Sequence, residues 1–466
     1  MNIVRRFATW QGILKPEQIM GEMPDNKKLY QDTFAMSWPS ALENVLIALI
    51  GAMDMIMVGY LGKEAISAVG ICTQPKYIVL APILALNTAT IVYVARRKGE
   101  GRQKDANDYT KLAIIFSTII SVIICLSAYL FAEPILWFAG AQSDYIYLAK
   151  DYFQIVTLSL IPYSIGLTIT SAQRGAGYAK ISLVTNLTAN IINIIFNALL
   201  IHGYLGFPAL GVTGAAIATA IGNIVSFVIA IISMMIKKRY LHWTFEAIEN
   251  FKAKTKRLFS VAFNAFIEQI FLRVGFFIYA KVVAGLGTGE FAAHQVCMNI
   301  MTISFAFGDG LQVANTSLVG QSLGKKRSDL AIVYTRFSQL IGIAVAILLC
   351  LTVSIFSNQL VEIFSNDLEV IELASIPMKI LGITILFQIP QVIIVGSLRG
   401  AGDVRFVAWM MLFCVGIIRP FLSYLLAYPL GFGLIGAWIG LFLDQFMRFL
   451  ISFIRFQKGE WLKIVL

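Results

Sequence analysis

Apolar residues run along this chain in twelve blocks, each of about 20 or more positions and so long enough to cross the hydrocarbon layer of a bilayer as a helix. The blocks are Phe34–Val58, Ile66–Ala95, Thr110–Ala132, Lys150–Ala172, Ile181–His202, Gly211–Ile236, Leu258–Ala284, Phe291–Gly320, Val333–Phe356, Leu373–Ser397, Val404–Tyr428 and Leu434–Arg455. The segments between them carry much of the glycine and charge. This pattern predicts an all-α membrane protein of twelve transmembrane helices.

Inside the blocks the informative positions are polar. A carboxylate near the bilayer centre is costly to insert, so it faces a bundle interior or a water-filled cavity and marks an ion or substrate path. Glu268 in the seventh block is such a residue, and Glu43 in the first precedes it by 225 positions. Asp54 follows Glu43 by eleven residues, close to three helical turns, which puts both on one face at different depths. Pro39, upstream of both, can bend the helix by removing a backbone hydrogen bond. Asn186, Asn190, Asn193 and Asn197 fall at i, i+4, i+7 and i+11 and form one amide stripe. The stripe reads either as hydrogen-bonding glue between helices or as part of a site.

Asp309 stands between Gly308 and Gly310, where the backbone can distort or approach a neighbour closely. The second half also embeds Arg273, Lys281, Lys379 and Arg419. These cations either neutralise the carboxylates in a structural network or serve transport. Arg273 is five residues from Glu268, about 140° around a helix, so a pairing between them needs another helix or a water. Lys281 and Lys379 lie nearer the block ends and can snorkel outward.

The offset of 225 recurs along most of the chain. It maps Cys72 on Cys297, Cys125 on Cys350, Tyr109-Thr110 on Tyr334-Thr335, and Arg174-Gly175-Ala176-Gly177 on Arg399-Gly400-Ala401-Gly402. Near the end of each half the register slips by about three residues, at Leu210-Gly211-Val212-Thr213-Gly214-Ala215. Six spans per half is an even number, so the halves enter from the same side and are related by an axis along the membrane normal. The domain reading is an arm at 1–33, a first lobe at 34–236, a connector at 237–257, a second lobe at 258–455 and a tail at 456–466. The connector carries Trp243, Phe245, Ile248 and Phe251, and reads either as an amphipathic helix on the inner leaflet or as a plain linker.

Composition agrees: 58% of residues are hydrophobic and 14% charged, against about a quarter charged in soluble domains. Most of the lysines and arginines gather in loops on one side, which places both termini in the cytoplasm of a cell-membrane protein. The net charge of +11 reflects that asymmetry and favours anionic lipid rather than nucleic acid as a partner. The arm lacks a signal peptide's apolar core and is expected to stay attached. The five cysteines and three histidines are scattered, without metal-ligand or nucleophile–base spacing, and this argues against an enzyme.

The run Asp54-Met-Ile-Met-Val-Gly-Tyr-Leu-Gly-Lys-Glu-Ala-Ile-Ser-Ala-Val-Gly resembles the end of the first span in multidrug and toxic compound extrusion transporters. Gln173-Arg-Gly-Ala-Gly, Leu210-Gly-Val-Thr-Gly-Ala-Ala-Ile-Ala-Thr219, Val319-Gly-Gln-Ser-Leu-Gly and Leu398-Arg-Gly-Ala-Gly-Asp403 are similar to that family too. The resemblance implies a V-shaped protein of two pseudo-symmetric six-helix lobes. It implies export of amphipathic or cationic small molecules by a monomer in exchange for H⁺ or Na⁺, with no other cofactor. It further implies a first-lobe ion site, open to Na⁺, at Asp54, Asn193, Asn197 and Thr219. Asn197 stands where the family has an aspartate, and Gln388 where its Na⁺-coupled branch has another. Glu268 matches the family's acidic residue on the seventh span and is expected to bind the coupling ion in competition with a cationic substrate. The alternative is a flippase for a lipid-linked or anionic substrate, kept open by Arg273, Arg419, Lys281 and Lys379.

The charge asymmetry yields a test of orientation. Cysteines placed at Ser143 or Asn366 should react with an impermeant maleimide added outside intact cells, and cysteines at Gln103 or Ser328 should not. External labelling at Gln103 would reverse the topology.

Overall fold

In the computed structural model, residues 9–59, 61–236, 239–244, 246–364 and 367–464 are described. Among them there is no β-strand, and twelve long helices account for the twelve apolar blocks. They are α1 (Asn26–Gly59), α2 (Lys63–Gly99), α3 (Gln103–Leu130), α4 (Ile146–Gly175), α5 (Ala179–His202), α6 (Gly211–Met235), α7 (Phe251–Ala284), α8 (Thr288–Gly324), α9 (Ser328–Ile355), α10 (Leu368–Ala401), α11 (Val404–Ala427) and α12 (Gly433–Lys458). Several outrun their apolar blocks. The start of α1 lies at Asn26 instead of Phe34, and that of α7 at Phe251 instead of Leu258. Backbone hydrogen bonding does not stop where the lipid does, whereas hydropathy reports only the part in lipid.

The helices gather into two compact units. One contains the described residues up to Asn44 together with those from Ile267 onward, and the other spans Val45–Phe266. Both α1 and α7 are therefore shared, and Pro39 lies just before the point where α1 passes from one unit to the other.

Within each unit the same close contact recurs. A Cβ at Gly175 of α4 would come within 2.9 Å of the Ile91 carbonyl oxygen of α2, and one at Gly400 of α10 would collide with the Thr316 carbonyl of α8. These glycines let backbones touch, which is how membrane helices gain dispersion contacts without a hydrophobic drive between them. The repeat extends to elements the apolar blocks did not resolve. A short helix, Ala132–Ala139, follows α3, and its counterpart Ser357–Glu362 follows α9 at the same 225-residue spacing.

The three-residue slip near the end of each half has two sources. Leu210 N–H donates to the Leu200 carbonyl at 2.8 Å, and Phe432 N–H to the Leu426 carbonyl at 3.1 Å. These equivalent bonds put Leu200 226 positions before its match, and Leu210 222 before its own. The second half thus gains one residue within α11 and loses four in the following loop. The gain lies at Leu412–Ile418, a π-helical segment followed by Pro420, which has no N–H to continue the regular ladder.

The arm is docked in its described part. Leu14 and Leu29 pack with Leu330, Val333 and Phe337 of α9, the Tyr30 ring stacks on Phe337 at 4.0 Å, and Met20 N–H donates to Asp329 at 3.0 Å. The connector is not an amphipathic helix over its described residues 239–244 and 246–250. Its polar groups are satisfied instead by α3 and the start of α7. Lys111 Nζ donates to the Glu246 carbonyl at 2.8 Å, His242 N–H to Asn107 at 3.2 Å, and Lys254 pairs with Asp105 at 2.6 Å and Asp108 at 2.7 Å. Phe245 of the connector and Asn366 of the outer loop lie outside the described residues.

These ion pairs differ in burial, which sets an expectation. Asp108 is 1% exposed and held by two lysines, so Asp108→Ala strands buried positive charge and should cost about 3–5 kcal/mol. Lys104, in a solvent-exposed pair with Glu249, should be replaceable by Ala with no measurable change. Thermal unfolding in detergent distinguishes the two, and equal stability of both variants would mean that Asp108 does not anchor the connector.

Candidate functional site

In the unit spanning Val45–Phe266, Asp54 on the last turns of α1 meets the amide stripe of α5. Asn197 Nδ2 donates to Asp54 Oδ1 at 2.7 Å. The Asn193 amide, turned so that both its ends are satisfied, donates to the same oxygen at 3.0 Å and accepts from the Thr219 N–H of α6 at 3.2 Å. Gly222 makes this possible, because a Cβ there would press within 3.1 Å of Asn193 Cβ and hold α5 and α6 apart. Asn197 Oδ1 is buried without a hydrogen-bond partner. The expected quartet of Asp54, Asn193, Asn197 and Thr219 is thus assembled in one place.

A fifth member was not anticipated. Lys76 of α2 lines a cavity of about 10 Å³ with Cys72, Thr73 and Tyr152, room for roughly one water. Lys76 lies within electrostatic reach of Asp54. The two interact through space and form no direct ion pair. Lys76 meets the criterion that marks Glu268, a charge inside an apolar block.

The other unit arranges its charges differently. Glu268, 1% exposed on α7, forms an ion pair with Arg399 of α10. This is the neutralised arrangement, and its cation is supplied by another helix, as the angle to Arg273 requires. Asp309 of α8 also lies within reach of the Arg399 charge. Gln388 is buried on α10 against Gly308, where a Cβ would lie 3.4 Å from its amide. It stands eleven residues before Arg399 on α10, so Gln388 and Arg399 share a face about three turns apart. Glu43 is buried in the first part of α1, in the same unit as Glu268.

Arg419 is absorbed elsewhere. Its Nε and Nη2 donate to Asp444 Oδ2 of α12 at 3.0 and 2.7 Å, and Arg448 Nη2 donates to that oxygen at 3.0 Å. The Arg419 guanidinium lies 4.3 Å from the centre of the Phe276 ring. Asp444 and Arg448 were not anticipated, although both interrupt the twelfth apolar block. By the packing register of the two halves, Arg419 occupies the place of Asn193 and Asp444 that of Gly222. The two halves thus hold amides in one lobe where the other holds permanent charge. Among the described residues no three His, Cys, Asp or Glu side chains gather as a metal cluster.

Two repeated sets of lipid-length helices, with charged and amide side chains buried among them, define a multi-pass membrane protein of the kind that carries solutes. A model of the family MatE matches residues 39–199 and again 265–425, once in each half. The chain belongs to this family, the multidrug and toxic compound extrusion transporters. It is 25% identical over 459 residues to the probable multidrug resistance protein NorM of Thermotoga maritima, covering 98% of this chain and 97% of that one. A multidrug resistance transporter of the family solved in an outward-facing conformation superposes with a TM-score of 0.88 at 18% identity, over 98% of this chain and 100% of that one. A Pyrococcus furiosus transporter, whose binding pocket is described as reversed in polarity and suggestive of a different function, superposes at 0.86 with 18% identity, over 94% and 97%.

The Glu268–Arg399 pair can be tested by rescue. Glu268→Gln takes from Arg399 its paired carboxylate, leaves it the more distant Asp309, and should lower stability by about 3 kcal/mol. Adding Arg399→Gln should recover most of the loss. Thermal unfolding of the three forms reads this, and an unaltered single variant would return Glu268 to a purely ion-binding role.

Proposed function

We propose that this chain is a cation-coupled antiporter that exports amphipathic or cationic small molecules across the cell membrane by alternating access, with H⁺ or Na⁺ as the coupling ion. It works as a monomer with both termini in the cytoplasm. The observation that carries the reading is Asp54, a carboxylate inside a membrane-length helix bundle, gripped by two amide donors and facing a lysine. A group so costly to place in lipid marks an ion path. The relatives called multidrug resistance proteins support the substrate class. Glu268, Asp309 and Arg399 form a second charged centre in the other lobe, where a cationic substrate competes with Arg399 for the carboxylates. Glu43, Arg273 and Gln388 are assigned to the lining of the transport path.

A second reading is a flippase for a lipid-linked or anionic substrate. The observation favouring it is the buried set of Arg419, Arg448 and Asp444, two guanidiniums sharing one carboxylate. That excess of positive charge suits a phosphate better than an organic cation.

Ethidium efflux from proteoliposomes under separately imposed H⁺ and Na⁺ gradients tests both. The antiporter moves ethidium under at least one gradient, and Asp54→Asn, nearly isosteric but unable to titrate, abolishes that transport while the protein stays folded. Asn197→Asp adds a carboxylate beside Asp54 and should change the ion dependence more than the stability. No ethidium movement under either gradient, with gradient-independent transfer of a fluorescent lipid pyrophosphate, would favour the flippase.

A further inference from the structure

A groove of about 450 Å³ opens in the first half where α3 ends and α4 begins, a volume within the about 300–1,000 Å³ of small-molecule sites. Its walls include Tyr129 and Leu130 of α3, Glu133 and Trp137 of the short helix Ala132–Ala139, and Lys150 and Gln154 of α4. The apolar block of α3 stops at Ala132 and that of α4 starts at Lys150, so the groove sits at the boundary between hydrocarbon and headgroups. Ile119, Ile123, Leu126 and Leu130 are exposed at i, i+4, i+7 and i+11, an apolar track along one face of α3 that ends at the groove. At the groove itself Lys150 Nζ donates to Glu133 Oε2 at 2.9 Å, and the two side chains are 41% and 50% exposed. Gln154 Nε2 donates to the Tyr129 carbonyl at 3.2 Å and ties the start of α4 to the end of α3.

This ion pair does not belong to the duplicated frame. Cys72 Sγ reaches the Ala149 carbonyl at 3.4 Å and Cys297 Sγ that of Ala374 at 3.9 Å, so the 225-residue register holds at the start of α4 and α10. In that register Asn358 stands for Glu133 and Ser375 for Lys150, and neither carries a charge. An exposed pair contributes little to stability, which leaves its place in the groove to be explained by what the groove holds.

We propose that this groove binds the headgroup of phosphatidylethanolamine, a zwitterionic phospholipid with a primary ammonium. The lipid ammonium takes the place of Lys150 on Glu133, the lipid phosphate takes the place of Glu133 on Lys150, and an acyl chain lies along the α3 track. Each protein charge thereby keeps a charge-assisted hydrogen bond through the exchange. Trp137, half exposed beside Glu133, is the amphipathic ring that suits headgroup depth. Charge complementarity selects this occupant. A choline headgroup has no N–H to donate, so Glu133 gives up its bond. A glycerol headgroup satisfies Lys150 but sets an uncompensated phosphate against Glu133.

The test titrates the delipidated full chain in detergent with ethanolamine, choline and glycerol phospholipids of identical acyl chains, bound lipid being counted by native mass spectrometry. The wild type should bind the ethanolamine lipid about tenfold more tightly than either of the others, the ratio expected for one hydrogen bond to a charged group. Glu133→Gln should make the ethanolamine and choline lipids equivalent, and Lys150→Gln should weaken both about tenfold. A second measurement needs no substitution and stands even where a variant fails to fold. A water-soluble carbodiimide, which joins a carboxylate to an adjacent amine, should couple Glu133 to Lys150 in the lipid-free protein and to the lipid amine once phosphatidylethanolamine is added, as read by peptide mapping. Equal affinity for the three lipids or a preference for the glycerol lipid would overturn the proposal. So would ethanolamine selectivity that survives Glu133→Gln, undiminished binding by Lys150→Gln, or a Glu133–Lys150 cross-link that the lipid leaves unchanged. Because the readout is lipid binding and not efflux, a failure of the export assay leaves this result independent.

Discussion

A charge inside a lipid-length helix has no water to fall back on, and that constraint organises this molecule. Glu268, Asp444 and Asp54 are each compensated from another helix or from a neighbouring turn, but by three different means. Glu268 and Arg399 touch. Asp444 is shared by two arginines. Asp54 is held by neutral amides, with Lys76 within electrostatic reach but not paired to it. The first two arrangements are rigid, because moving either partner strands the other in a medium of low dielectric. The third is adjustable: amides can rotate, a lysine can swing, and a proton can be gained or lost without tearing an ion pair apart.

The two halves share their scaffold and divide their chemistry. Gly175 and Gly400 make the same backbone contact in each, and the short helices after α3 and α9 repeat at the same spacing. The linings between those shared contacts have diverged, with amides opposite a glycine in one half and arginines around an aspartate in the other. A duplicated frame held by backbone proximity tolerates such divergence, since the contacts that maintain it involve no side chain that a site would need to change. This is a physical reason for the polar linings of the two halves to differ while their backbone frames stay alike.

Much of the architecture was legible before any coordinates. Helices that must lie in lipid advertise themselves as long apolar runs, and a repeat with a shared Arg-Gly-Ala-Gly turn is hard to mistake. The quartet around Asp54 was also reached, through resemblance more than through spacing. Other features escaped for identifiable reasons. Helix ends in water leave no hydropathic mark, so α1 and α7 proved longer than expected. The connector's aromatic residues left an amphipathic helix and a plain linker both open, and the described part is a linker whose polar groups are met by α3. Arg399 stands out in the sequence only as part of the repeated Arg-Gly-Ala-Gly turn, although its side chain runs back to Glu268. Lys76, Asp444 and Arg448 show that an embedded charge matters whatever its sign.

The π-helical segment at Leu412–Ile418 gives this history a mechanism. One extra residue inside a helix advances everything beyond it by about 100° and about 1.5 Å while leaving the start of the helix where it was. In α11 that advance delivers Arg419, instead of its neighbour, to the position facing Asp444. A single inserted codon can therefore act as a vernier on a duplicated gene. It re-aims an entire face of one copy in a step that no point substitution could match, and a four-residue shortening of the next loop restores the fit of the helix that follows. The odd turn in α11 thus changes which side chain of the second half faces α12 while leaving the rest of the frame in register.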